Sequence, residues 1–311
     1  MEPEHTTEQL YAAYKPLLFS LAYRMLGRVM DAEDIVQEAF LSLNGALPEH
    51  VRHPKAYLCK IVTNRCIDLL RSASKQREVY VGPWLPEPLV AEEDGSGSGL
   101  GDPSRHYVQK ESVSTAYLLL LQQLSWVERA VFLLREVLQY EYDEIGEIVG
   151  KSGTNCRQIF HRAKRSLGTH AAPAAGDLPS TGSGVQLHTP AAGSAAGGLV
   201  EQFVSALASG DMAKLLRLLS EDAALYSDGG GKVTAAVRPI LGAERISRFL
   251  AGLLEKVQDG FSYRFAVVNG YTGIVTYVHG RPLNVFSFHA ENERIEAIYI
   301  VVNPEKLKHV K

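Results

Sequence analysis

Apolar residues recur at three- and four-residue intervals through the first seventy positions. Leu10, Tyr14, Leu17, Leu18, Leu21 and Met25 trace one helical face that Gly27 ends, and Pro16 is expected to kink this helix or mark its start. Asp31 is placed to cap a second helix whose apolar stripe is Ile35, Val36, Ala39, Phe40 and Leu43. A third helix is predicted beyond Pro54, through Tyr57, Leu58, Ile61, Val62, Leu69 and Leu70. Ser125 and Glu128 form the signature of a capping box, followed by an apolar face from Val127 to Leu138. A short helix near 143–149, a turn at Gly150-Lys151-Ser152 and a longer basic helix over 153–167 read as a helix-turn-helix. After residue 199 the period changes. Helices are predicted over 199–208, 212–219 and 243–257, and strands over 223–226, 263–268, 273–279, 284–289 and 295–302. Helices packed on a curved antiparallel sheet give an α+β cone or half-barrel.

Two stretches interrupt these patterns. Residues 168–198 are mostly Ala, Gly, Pro, Ser and Thr, which cannot build a packed core, and read as a flexible linker. Residues 72–102 also read as a linker, but hold an apolar island from Gly82 to Leu89 ahead of an acidic Gly/Ser-rich tail. The remaining blocks are 1–71, 103–167 and 199–311.

Composition narrows the function classes. With 32 Lys+Arg against 35 Asp+Glu in 311 residues, the chain is not basic along its whole length, so any nucleic-acid surface must be local. Such a surface is visible: basic residues dominate from Arg52 to Arg77, and from Lys151 to Arg165 no acid occurs. A charged face is often only a solvated face, but a basic second helix in a helix-turn-helix points to phosphate and base contact. The three cysteines form no C-x-x-C pair, which excludes a disulfide scaffold and a zinc ribbon, and Cys59, Cys66 and Cys156 read as reduced core residues. The charged first twenty residues lack a signal-peptide core, and the longest apolar run, Tyr117 to Leu121, is too short to span a bilayer. The sequence therefore reads as a soluble cytoplasmic protein without a membrane partner.

The motifs resemble a known family. Asp31-Ala32-Glu33-Asp34-Ile35-Val36-Gln37-Glu38-Ala39-Phe40 resembles the core-polymerase-binding helix of extracytoplasmic-function sigma factors. The segment from Ala56 to Arg71 is similar to their promoter −10 helix. Glu128 to Glu136, Asp143-Glu144-Ile145, Cys156-Arg157-Gln158 and His161 to Lys164 resemble their −35-reading domain. Three further motifs, Trp84 to Pro88, Asp228 to Lys232 and Asn303 to Leu307, are similar to those of a SigJ-like subclass with a SnoaL-like C-terminal domain. Departures are few: Asn44 and Tyr57 stand where Trp is common, Cys156 where Val is usual, and Gly146 where Ala is usual.

The resemblance implies a multidomain chain: two all-α sigma domains, a helix bundle (region 2, residues 1–71) and a helix-turn-helix (region 4, 103–167), plus the α+β cone (199–311). It implies RNA polymerase core enzyme and promoter DNA as partners, and a monomer when free. Asp31, Asp34, Gln37, Glu38 and Phe40 are the expected core contacts. Tyr57, Lys60, Asn64, Arg65 and Arg71 are the expected −10 residues, and Asn155, Arg157, Gln158, His161, Arg162 and Arg165 the −35 residues. Only one face of a helix enters a groove, so some of the last set must be surface residues.

The C-terminal cone admits two readings. Tyr226, Asp228, His279 and His289 are candidates for a pocket that senses or turns over a small molecule. The favoured reading is intramolecular regulation without catalysis, cofactor or metal. An apolar island in a polar linker needs a partner surface, and its prolines reduce the ordering entropy of docking. The expected contact joins Trp84, Leu85, Pro86, Glu87 and Pro88 to Asp228, Gly229, Gly230, Gly231, Lys232, Asn303, Pro304, Glu305, Lys306 and Leu307. Three consecutive glycines exceed what a hairpin turn requires, which favours a contact loop.

Overall fold

A computed structural model describes residues 7–43, 47–48, 51, 53–74, 80–91, 113–170, 195–257 and 259–311. These form two compact units: 7–74 with 118–170, and 80–91 with 113–117 and 195–311. Most of the two expected linkers, Asn44 and Arg52 lie outside the described residues.

The first unit is helical. Helix α1 (Thr7–Leu26) runs through Pro16, so the proline neither starts nor stops it; Leu18, Phe19, Leu21, Tyr23 and Met25 are buried on its later turns. Helix α2 (Val29–Leu41) begins two residues before Asp31, which corrects the expected cap. Arg28 occupies the cap position, and Asp31 pairs with it at 2.9 Å from within the first turn, where a carboxylate favours the helix dipole. Helix α3 (Pro54–Ser74) starts on its proline, where a missing N–H costs nothing. Helix α4 (Thr115–Gln122), whose residues 115–117 are counted with the second unit, was not anticipated, because its run of apolar residues shows no helical alternation.

Helix α5 (Trp126–Glu136) carries the expected capping box of Ser125 and Glu128. Helix α6 (Tyr142–Val149) ends on Gly150 in the left-handed conformation, and α7 (Gly153–His170) completes the helix-turn-helix. Segments 7–74 and 118–170 pack together inside this unit. Arg129 of α5, 2% exposed, donates to the Met25 carbonyl at the end of α1, and the Lys55 ammonium of α3 lies 5.6 Å from the Tyr140 ring centre. All three cysteines are buried and free, and burial pushes the Cys59 thiol up to about 11.

The second unit is the cone. Helices α8 (Ala195–Ser209), α9 (Met212–Leu218) and α10 (Ala243–Leu254) pack on a sheet of β1 (Leu219–Asp228), β2 (Ile240–Leu241), β3 (Phe261–Val268), β4 (Tyr271–Val278), β5 (Arg281–Glu291) and β6 (Arg294–Val301). Strand order is β2-β1-β6-β5-β4-β3 among the described residues. The sheet is mixed rather than antiparallel, because β1 and β6 run parallel: the intervening chain makes a crossover through α10 and three hairpins before returning beside β1. Those hairpins turn on Asn269-Gly270, His279-Gly280 and Asn292-Glu293, each pair with positive φ, as tight right-twisted hairpins require. A short 3-10 turn (Pro304–Leu307) follows β6.

Gly146 decides how tightly the helix-turn-helix closes. A Cβ there would sit 2.5 Å from the Lys151 carbonyl oxygen and 3.3 Å from the Gly153 nitrogen. Alanine gains about 1 kcal/mol of helix propensity over glycine, but overpacking against fixed backbone costs about 1–3 kcal/mol. Gly146→Ala is therefore expected to lower the unfolding midpoint of the helical unit in urea; a raised midpoint contradicts this close approach.

Candidate nucleic-acid interface and linker clamp

On α2, Asp34, Gln37 and Glu38 share one exposed side, and Leu41, 76% exposed, continues it by another turn. Leu41 went unnoticed in the sequence, though its spacing of seven from Asp34 marks the same face. Phe40 is not on it. Its ring is buried edge-on against Tyr11, centroids 4.9 Å apart, which corrects its assignment as a surface contact.

The expected −10 residues lie along α3. Lys60 and Arg71 are exposed, while Tyr57, Asn64 and Arg65 are half-buried. Arg65 pairs with Glu38 of α2, and the Arg71 guanidinium lies 4.2 Å from the Trp126 ring centre on α5.

On α7 the buried stripe is Cys156, Ile159, Phe160, Ala163 and Leu167. Helical spacing puts Gln158, His161 and Arg165 directly opposite, with Arg162 beside them and Asn155 and Arg157 on the two flanks. All six are exposed. Arg157 lies 5.1 Å from the Tyr142 ring centre, and Arg162 donates to Glu128 at 2.7 Å. Burial acts to raise the Glu128 carboxyl, but hydrogen bonds from Ser125 and Arg162 outweigh it and hold the group below its ordinary range.

Within the second unit, the linker island docks on the cone. Asp228, at the end of β1, has no solvent exposure. It accepts from the Leu85 N–H at 2.7 Å, the Tyr80 hydroxyl at 2.5 Å and the Lys306 ammonium at 2.7 Å. Lys306, 2% exposed, also donates to the Leu85 carbonyl and stands 4.0 Å from the Trp84 ring centre. The Leu85–Val90 run is buried. Leu89 exchanges hydrogen bonds with Asn269, the Ala91 N–H donates to the Val267 carbonyl at 2.8 Å, and His309 contacts the Pro88 carbonyl at 2.8 Å.

The glycines of the Asp228–Lys232 loop answer to close approach. A Cβ at Gly230 would meet the Asn303 amide nitrogen at 2.3 Å and the Tyr80 hydroxyl at 3.0 Å. Asn303 caps the 3-10 turn by accepting from the Glu305 N–H, and Lys232 pairs with Glu305 at 3.2 Å on the surface. Tyr80, Asn269 and His309 are members of this constellation that sequence reasoning missed; each is an isolated residue outside the three motifs.

The four pocket candidates stand in different settings. Asp228 is committed to the clamp, Tyr226 stacks on Tyr299 at 5.5 Å, and His279 is a hairpin-turn residue with φ of 49°. His289 lies eight strand residues beyond the start of β5, about 26 Å along it. Burial lowers the His289 imidazole. Burial and the charges of Glu291 and Asp222 raise the Glu296 carboxyl beside it.

Comparison with known proteins matches this layout. Residues 10–76 match Sigma-70 region 2 and residues 114–167 match Sigma-70, region 4. Over 309 residues the chain is 33% identical to the ECF RNA polymerase sigma factor SigJ of Mycobacterium tuberculosis, covering 95% of this chain and 91% of that one. The chain belongs to the ECF RNA polymerase sigma factors. It is an alternative sigma factor with a fused C-terminal domain. The SigJ crystal structure superposes with a TM-score of 0.74 at 28% identity and covers 96% of both chains, cone included. SigG of the same organism is 30% identical over 232 residues, 68% of this chain and 58% of its own. No helix among the described residues is long and apolar enough to cross a membrane.

The clamp makes a direct prediction for this sigma factor. Asp228→Ala leaves the Lys306 ammonium buried without its carboxylate, a change that typically costs about 3–5 kcal/mol. The unfolding transition of the C-terminal unit is expected to shift down accordingly in urea. Adding Lys306→Met to that variant should recover part of the loss, since an apolar pair is tolerated better than one orphaned charge. No loss in the single variant contradicts the clamp.

Proposed function

We propose that this sigma factor directs cytoplasmic RNA polymerase core to its promoters through three surfaces, and that the cone sets how those surfaces are presented. The exposed side of α2, with Asp34, Gln37, Glu38 and Leu41, meets the core enzyme: carboxylates steer the encounter and the apolar residue is desolvated in the complex. The α3 helix reads the melted −10 strand, with Tyr57 as a stacking wall and Asn64 as an amide reader. The outward face of α7, centred on Gln158, His161 and Arg165, enters the −35 major groove, and Arg157 and Arg162 sit within reach of phosphate.

The observation that carries the regulatory part is the buried Asp228–Lys306 pair closing on Leu85. Residues 80–91 lie between regions 2 and 4 in the chain, so fixing them limits how far the two regions can separate. Arg71 on Trp126, Arg65 on Glu38 and Arg162 on Glu128 are occupied within the protein, and promoter binding has to exchange these contacts for DNA. The cone works by contact rather than catalysis: its buried acid Asp228 is neutralised by Lys306, Tyr226 is stacked on Tyr299, and His279 is taken up in a hairpin turn. The free protein is read as a monomer.

Transcription in vitro with core enzyme tests this reading. Asp34→Lys with Glu38→Lys is expected to reduce core co-purification at least tenfold while helicity is kept. Gln158→Ala with Arg165→Ala should cost about 1–3 kcal/mol per base contact and relax preference in the −35 element. Full promoter-directed activity in both variants contradicts the assignment of these surfaces.

A further inference from the structure

Away from the linker clamp, three strands of the cone bring four titratable side chains together. His289 and Glu291 stand two residues apart near the end of β5, so both project from one face of the strand. Glu296 reaches them from β6. His289 pairs with Ala297 but Ala290 pairs with Ile295, which leaves Glu296 as the extra residue of a bulge. A bulge re-aims its side chain, and this one turns a carboxylate toward its neighbours. One ligand atom from each of His289, Glu291 and Glu296 lies within 4.8 Å of the other two. Asp222 comes from the irregular stretch of β1 between Leu219 and Ala224, and its negative charge acts on Glu296.

This grouping lacks internal compensation. Among the described residues no Lys or Arg forms an ion pair with Asp222, Glu291 or Glu296, although Arg294 stands opposite Glu291 in the β5–β6 ladder; Asp222 is held by the Ser220 hydroxyl at 2.5 Å and by its own backbone. The His289 Nε2 is shut off from solvent and has no hydrogen-bond partner. Crowded carboxylates repel one another and a partnerless imidazole nitrogen leaves its lone pair unused, and one bound cation satisfies both.

We propose that His289, Glu291 and Glu296 form a binding site for a divalent transition-metal ion of the zinc class, with Asp222 as a further negative charge close by. One imidazole nitrogen and two carboxylates suit a borderline cation better than magnesium or calcium, which favour oxygen alone. Ligand atoms around tetrahedral zinc, at about 2.1 Å from the metal, stand about 3.4 Å apart. The observed donors therefore need to draw in by at most about 1.4 Å, which glutamate rotamers supply, and the fourth position is left to water.

The test uses the full chain after chelator treatment. Zinc chloride is titrated calorimetrically, and cobalt(II) replaces it as a spectroscopic probe of nitrogen and oxygen ligation. Wild type is expected to bind one zinc ion saturably at this site and to melt at a higher temperature with zinc present. Glu291→Gln with Glu296→Gln should weaken that binding at least tenfold and abolish the thermal shift, while the metal-free melting temperature stays near wild type. His289→Gln should do the same and remove the nitrogen signature from the cobalt spectrum; if it fails to fold, the glutamine double variant carries the test alone. No saturable binding by wild type, or equal affinity and stoichiometry in the variants, overturns the proposal.

Discussion

A carboxylate without solvent exposure has to be neutralised and hydrogen-bonded on both oxygens, and Asp228 meets that demand with three groups from two distant parts of the chain. Lys306 supplies the charge, Leu85 a backbone N–H and Tyr80 a hydroxyl. None of these partners is near in sequence, so the ion pair forms only when the linker, the end of β1 and the turn after β6 are all in place. Taking two charges out of water costs several kcal/mol per ion, which makes such a pair a poor source of stability but a selective one. Any other seating of the linker deprives the pair of the Leu85 N–H and carbonyl and of the Tyr80 hydroxyl.

The same constraint explains why the three motifs look as they do. Gly230 is small because Tyr80 and Asn303 approach its α-carbon closely, and Asn303 is held there by capping the Pro304–Leu307 turn. Pro86 and Pro88 keep the island extended, so that its remaining amides and carbonyls face Asp228, Lys306, Asn269 and His309. Residues 80–91 of the linker are thus part of the C-terminal unit. The further grouping of His289, Glu291 and Glu296 lies elsewhere on the sheet and does not depend on this clamp.

What the sequence revealed and what it hid follow from the range of the interactions. The capping box of α5, the glycine turn of the helix-turn-helix and the strand runs between paired turn residues are local, and could be read directly. Asp31 misled because two acids follow it, and nothing local tells a cap from a first-turn residue paired back to Arg28. Phe40 continued an apolar stripe whose inner side only the packing against Tyr11 reveals. His279 resembled a catalytic residue because a histidine at a strand end and a histidine in a tight turn look alike until φ is known. The parallel pairing of β1 with β6 and the meeting of Glu296 with His289 depend on register and a bulge, which no periodicity encodes. The docking of the island was legible because an apolar Pro-rich segment in a polar linker has no neighbouring core to bury it, and its partners on the cone because the three motifs resemble those of the SigJ-like subclass.

Amide hydrogen exchange across residues 80–91 of the free full-length protein tests the clamp most directly. Leu85, Leu89 and Ala91 each donate their N–H to the C-terminal unit. They are therefore expected to exchange slowly, with protection close to that of β6 and lost together in Asp228→Ala. Exchange of these amides at the rate of an unstructured chain, while β6 remains protected, contradicts the account.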